Sequence, residues 1–176
     1  MFKKIVVGLV VVIGVFLVIV SRQPTAFRIT RSAALAAPAP ALFAQVNDFH
    51  KWEAWSPWAK MDPNAKNTIE GPASGVGAKF SWDGNRNVGA GRMTIIESHP
   101  TDLIRLKLEF LKPFKAINDT EFTFKPEGKK TIVTWTMAGD NNFVGKAMGV
   151  FINCDKMIGG QFEQGLKNLE AAAAKR

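Results

Sequence analysis

The sequence has no tyrosine, one cysteine and two histidines. Each shortage removes a class of protein. A lone Cys154 excludes an intramolecular disulfide framework. One Cys with His50 and His99 falls short of the four ligands of a structural zinc site, so neither a metal centre nor a cofactor is expected. With 13 Phe and 5 Trp but no Tyr, the aromatic surface is apolar apart from its indole N–H groups. The glycine clusters at 75–77 and 84–91 are not followed by Lys-Ser/Thr and do not precede a helix, so they are not phosphate loops. No nucleophile elbow and no HExxH occurs. Basic runs, helix-turn-helix patterns and RNP-like motifs are also missing, so no nucleic-acid partner is expected despite a formal charge of +8.

What is present is enough for one globular domain: 176 residues, 47% of them hydrophobic. The mean hydropathy of zero conceals two unlike parts. Ile5 to Val20 is a run of sixteen residues without a polar side chain. As a helix it would reach about 24 Å, against a hydrocarbon core of about 30 Å. Lys3, Lys4 and Arg22 can snorkel to close the difference. A cleaved signal peptide is the rival reading, but the run ends without small residues at a cleavage site, only Ser21 being small. Residues 1–22 are therefore expected to be a single-pass anchor in a bacterial inner membrane, 23–25 a linker with Pro24, and 26–176 the domain. Basic residues flank the run on both sides, which leaves its orientation open. Without Lys3 and Lys4 the remainder carries 21 Lys and Arg against 15 Asp and Glu, a net charge of +6. That excess is either a solvated surface or a draw toward anionic headgroups.

Beyond the linker the periodicity changes several times. Residues 26–31 alternate apolar and polar, as a half-buried strand does. Ala41 to Phe49 places Leu42, Phe43, Val46 and Phe49 on one helical face, with Pro40 in the first turn. His50 to Trp58 is a short helix or turn stopped by Pro57. Six stretches from Asn67 to Met137 then read as strands in hairpins. The clearest sets Ile104, Leu106, Leu108 and Phe110 against Arg105, Lys107 and Glu109. From Phe143 the period becomes helical: Phe143, Ala147, Phe151, Cys154, Ile158, Phe162, Leu166 and Leu169 predict one helix of about eight turns, capped by Asn141 or Asn142. Gly159-Gly160 in its middle predicts a kink or a close approach to the sheet.

The order of elements and the segments ALFAQVNDF (41–49), WEAWSPW (52–58), GRMTI (91–95) and GQFEQGLKNL (160–169) resemble the START-like helix-grip (SRPBCC) superfamily, in its polyketide cyclase/dehydrase-type branch. The resemblance covers about residues 26–173. It implies an α+β helix-grip fold: a curved antiparallel sheet of six or seven strands wrapped round a long C-terminal helix, with two short helices after strand 1. It further implies a ligand cavity between sheet and helix, used for lipids, sterols, polyketides or hormones, with enzymes in the minority.

In that fold the expected cavity residues fall into groups. Trp52, Trp55 and Trp58, three apart, would form the cavity mouth, a membrane foot, or a core wedge. Met93, Met137, Met148 and Met157 would face a common space and adapt to irregular ligands, or simply fill core. Phe80, Trp82, Leu106, Leu108, Phe110, Phe122, Trp135 and Phe151 would supply apolar lining. Asn118 and Thr120 share the face of Phe122 and Phe124, where polar groups orient a ligand in an apolar pocket. Glu97 shares the face of Met93 and Ile95; buried there it would have a raised pKa and could act as an acid. Three functions remain open: binding or transport of a hydrophobic small molecule or lipid, a cyclase/dehydratase-like enzyme, and docking to anionic partners or headgroups. Oligomeric state is not legible.

Overall fold

The computed structural model describes residues 2–174. Helix α1 (Phe2–Ser21) leads into strand β1 (Ala26–Leu35), helix α2 (Ala39–Val46) and a 3-10 helix (Phe49–Ala54). Six strands follow: β2 (Lys66–Glu70), β3 (Lys79–Asp83), β4 (Ala90–His99), β5 (Leu103–Lys112), β6 (Ala116–Glu127) and β7 (Lys130–Asp140). Helices α3 (Phe143–Phe151) and α4 (Cys154–Ala174) complete the chain. The strands form one antiparallel sheet in the order β1-β7-β6-β5-β4-β3-β2. All neighbours but β1 and β7 are consecutive in the chain. This is the expected α+β helix grip.

Alternation along each strand sorts side chains into an inner and an outer face. The register aligns Ile95, Leu106, Thr120, Met137 and Ile29 in one inner row across five strands. Phe80, Met93, Leu108, Asn118 and Gly139 form the next. On the outer face opposite charges stand directly across from each other, Arg92 with Glu109 at 2.7 Å and Arg105 with Glu121 at 2.8 Å.

Helix α4 lies on the inner face by its buried side, Phe162, Leu166, Leu169 and Ala172. The Phe162 ring stacks on Trp135 with centroids 4.2 Å apart. Gly165 permits this approach, since a Cβ there would stand 2.7 Å from the Trp135 ring. Leu42, Phe43 and Val46 of α2 are buried beside it, and Pro40 occupies the first turn as expected.

The tail is not one helix of eight turns. Ile152 is extended, and the Asn153 carboxamide oxygen accepts from the Lys156 N–H at 2.9 Å. Asn142 caps α3 in the same way through the Gly145 N–H. A second capping side chain offers the backbone a partner outside the helix, so the chain restarts instead of continuing. The glycine pair sits inside unbroken α4. Gly159 is the close approach. Arg31 crosses from β1 to pair with Asp155 at 2.9 Å and Glu163 at 2.8 Å, and a Cβ at 159 would strike its guanidinium. Gly160 faces open space. No residue of α3 is buried; this helix packs against α1, with Phe151 stacked on Phe16 at 5.9 Å.

Candidate functional site

The inner face of β6 carries Asn118, Thr120, Phe122 and Phe124, all buried. Val133, Trp135 and Met137 of β7 lie alongside. Asn118 is 5% exposed, Thr120 4% and Trp135 2%. The carboxamide oxygen of Asn118, the hydroxyl of Thr120 and the indole N–H of Trp135 have no hydrogen-bond partner, alone among buried side-chain N and O atoms of the described residues. The Asn118 amide nitrogen reaches only the Met137 sulfur, at 3.9 Å. Burying such a group unpaired costs about 1–3 kcal/mol. Gly139, directly across from Asn118, leaves the space that the amide fills.

Around these atoms the surface is aromatic. Phe80 and Trp82 stack at 6.1 Å, and Trp82 meets Phe110 edge-on at 6.0 Å. The Trp82 ring lies over Gly91, where a Cβ would meet it at 2.5 Å. Its indole N–H is satisfied by the Val88 carbonyl at 3.0 Å. Phe80, Trp82, Met93 and Phe110 are only half-buried, because α4 rests on β1, α2 and the 3-10 helix instead of on β3–β5. Leu106 and Leu108 are buried between the two zones.

The gap expected between sheet and α4 is closed on the β7 side. Trp135 is held between Phe162 at 4.2 Å and Phe122 at 4.6 Å. Trp55 and Trp58 abut it edge-on at 5.7 and 5.8 Å. Trp55 is 1% exposed and donates to the Gln45 carbonyl; Trp52 donates to the Val46 carbonyl. The first two tryptophans of the trio are thus a core wedge, and Trp58 lies at its edge. Surface depressions of about 510 and 330 Å³ lie around Pro38 and Lys130 and around Lys51 and Asn168, away from this floor.

Two expected arrangements do not form. Met148 and Phe151 lie exposed on α3, and Met157 is exposed on α4, so they do not share a space with Met93 and Met137. Glu97 does not point inward. Ile95 stands opposite Leu106 and Glu97 opposite Arg105, so the bulge at Ile96 moves Glu97 to the outer face. There His99 hydrogen-bonds its carboxylate at 2.8 Å and Arg105 at 2.7 Å. The His99 bond first, then Arg105, hold this carboxyl below its ordinary range against partial burial, the reverse of the raised value an acid needs. The Ile95-Ile96 doublet, which breaks alternation, is the signal that announces the bulge. Alternation does not announce the Arg31 clamp beyond setting Arg31 in the apolar register of Phe27, Ile29, Ala33 and Leu35.

A sheet with an aromatic inner face, two short helices after β1 and a C-terminal helix across it can be compared with known proteins. Residues 26–174 match the model of a family described as polyketide cyclase/dehydrase and lipid transport. The chain belongs to that family. Helix α1 lies outside the match. Among solved structures, this family member is similar to protein CV1439 from Chromobacterium violaceum, with 17% identity, 88% of this chain and 100% of that chain covered, and a TM-score of 0.60. It is similar also to the Aha1 dimer of Colwellia psychrerythraea (13% identity, 85% and 97% covered, TM-score 0.59). A third is the di-domain ARO/CYC StfQ of the steffimycin biosynthetic pathway (12%, 86% and 52%, TM-score 0.61). At such identities the likeness is one of fold. No curated protein matches the sequence.

Proposed function

We propose that this family member is a membrane-anchored module that binds or transports an apolar small molecule or lipid on the inner face of its sheet. One observation carries the reading: three orphaned polar atoms, of Asn118, Thr120 and Trp135, set in an aromatic floor. Between them they offer an acceptor, a donor-acceptor and a donor. A ligand hydroxyl would donate to the Asn118 carboxamide oxygen, in the row of Phe80 and Met93, with Thr120 one row and Trp135 two rows further in. The apolar remainder would lie along the half-buried Phe80, Trp82, Met93 and Phe110, each buried methylene contributing about 0.8 kcal/mol. Helix α1 supplies the membrane. Its 20 residues are long and apolar enough to cross one, and only Val20 is buried against protein.

The test is native mass spectrometry of the full chain in lipid nanodiscs, followed by extraction of any retained small molecule. Asn118→Leu removes both polar atoms of the amide, and Trp135→Phe removes the indole N–H while keeping an aromatic ring in the stack. A discrete adduct that weakens severalfold in both variants supports the reading. Uptake unchanged in both would sink it. A cyclase or dehydratase reading lacks an acid on the floor, because none of the inner rows carries a carboxylate or a histidine. It would rest on positioning alone.

A further inference from the structure

Phe143, Met148, Phe151, Ile152 and Met157 are 38–77% exposed, in one stretch from the start of α3 to the first turn of α4. Scattered apolar residues on a surface are ordinary, but a continuous group of five large ones marks a contact. The position of the group says with what. Phe151 stacks on Phe16. Phe16 lies five residues before Ser21, so about 7.5 Å inside the end of α1 at 1.5 Å per residue. Whatever medium surrounds α1 at that depth also surrounds Phe151. An amphipathic helix seated at a membrane surface buries its apolar face about 5–10 Å deep, the same depth.

The placement is held by hydrogen bonds. The Asn141 N–H donates to the Thr25 carbonyl at 2.6 Å, and the Lys146 ammonium donates to the Thr25 hydroxyl at 2.8 Å, which ties α3 to the end of α1. The Asn142 amide donates to the Lys115 carbonyl at 3.4 Å, which brings the β5–β6 hairpin and its 49%-exposed Phe114 to the same end of the sheet. Arg22, Lys115 and Lys156 are exposed around this surface, where headgroup phosphates would meet them.

We infer that α3 and the tip of the β5–β6 hairpin rest in the interface of the bilayer that α1 crosses, on the leaflet from which α1 emerges. The inference rests on the reading of α1 as an anchor and extends it to a second, peripheral seat. The inner floor reaches this same end. Asn118 pairs with Gly139, one residue before the end of β7, and Trp82 and Phe110 lie one row nearer the edge. A lipid leaving the leaflet beside α3 would meet the half-buried aromatics first and the three orphaned polar atoms next.

The experiment labels the full chain with the fluorophore NBD at single cysteines in a Cys154→Ser background, reconstituted in phosphatidylcholine vesicles. Positions are Phe151→Cys, Met148→Cys, Phe16→Cys and, on the turn at the far end of the sheet, Lys129→Cys. The labels at 151 and 148 should be blue-shifted, quenched by lipids brominated on the acyl chain, and severalfold less open to aqueous iodide than the label at 129. Iodide quenching at 151 and 148 equal to that at 129 overturns the inference. The label at 16 separates the causes. If it is shielded while 151 and 148 are not, the anchor stands and the interfacial seat falls. If it is open to iodide, the anchor falls and the seat with it. Ligand retention is read on unlabelled protein and is independent of either result.

Discussion

Helices α3 and α4 carry one continuous repeat of apolar residues, yet α3 buries none of them while α4 buries Phe162, Leu166, Leu169 and Ala172. The difference is in what each helix meets. Helix α4 meets β1 and the aromatic rings of the sheet, with Gly159 and Gly165 as the two places where backbone comes close. Helix α3 packs chiefly on α1, itself apolar and exposed. Apolar periodicity states that a face needs cover. It does not state whether the cover is protein or lipid.

The contrast can be broken most sharply at its two phenylalanines. Phe162→Ala removes the ring stacked on Trp135 and should cost about 3–5 kcal/mol of stability in urea unfolding of the full chain in detergent. A loss under 1 kcal/mol would mean that α4 is not the core helix. Gly159→Ala is next. The added methyl displaces the Arg31 guanidinium from Asp155 and Glu163, which offsets the helix-propensity gain, so a net change from zero to a loss of about 1 kcal/mol is expected. At exposed Gly160 the same change should gain up to about 1 kcal/mol through helix propensity. Equal effects at the two sites would erase the close approach.

A smaller effect is expected from the outer face of the sheet. The hydrogen bond from Arg92, then that from Lys107, hold the Glu109 carboxyl down at about 2 against an ordinary 4.5, although its partial burial alone would raise it. A carboxyl depressed in the folded state stabilises fully above its unfolded value and loses that contribution as pH falls through the folded one. The urea midpoint should therefore drop between pH 4.5 and about 2, and Arg92→Met should flatten the drop. The smallest effect belongs to Phe151→Ala, which should change stability in detergent by less than about 0.5 kcal/mol. A loss as large as that at Phe162 would show that α3 packs on protein after all.

Strict alternation made the sheet legible. Leu103–Lys112 shows Ile104, Leu106 and Leu108 buried inward and Arg105 outward, because a period of two assigns every side chain to a face. The same rule placed Asn118 and Thr120 among the inner aromatics. It failed at Glu97, where one bulged residue reverses the face of all that follow. It also had no means of showing that Phe162, Trp135 and Phe122 would stack into the space between sheet and helix, since contact between rings depends on backbone distance and not on order along the chain. The break at Ile152–Asn153 was hidden for a similar reason. The apolar steps run on across it, and only the capping side chain of Asn153 announces the restart.

The segment joining α1 to β1 has no slack. The N–H groups of Arg22 and Gln23 turn back to the last carbonyls of α1, the Pro24 carbonyl accepts from the Asn141 amide, and Thr25 is held by Asn141 and Lys146. Even fully extended, four residues would span only about 14 Å. With α1 in a bilayer, the domain cannot carry cargo away from the surface or turn over above it. On that reading it would be a fixed berth, not a ferry. Its traffic would be lateral, with each encounter made by partners sliding in the same plane or arriving from the aqueous side at a mouth whose orientation does not change.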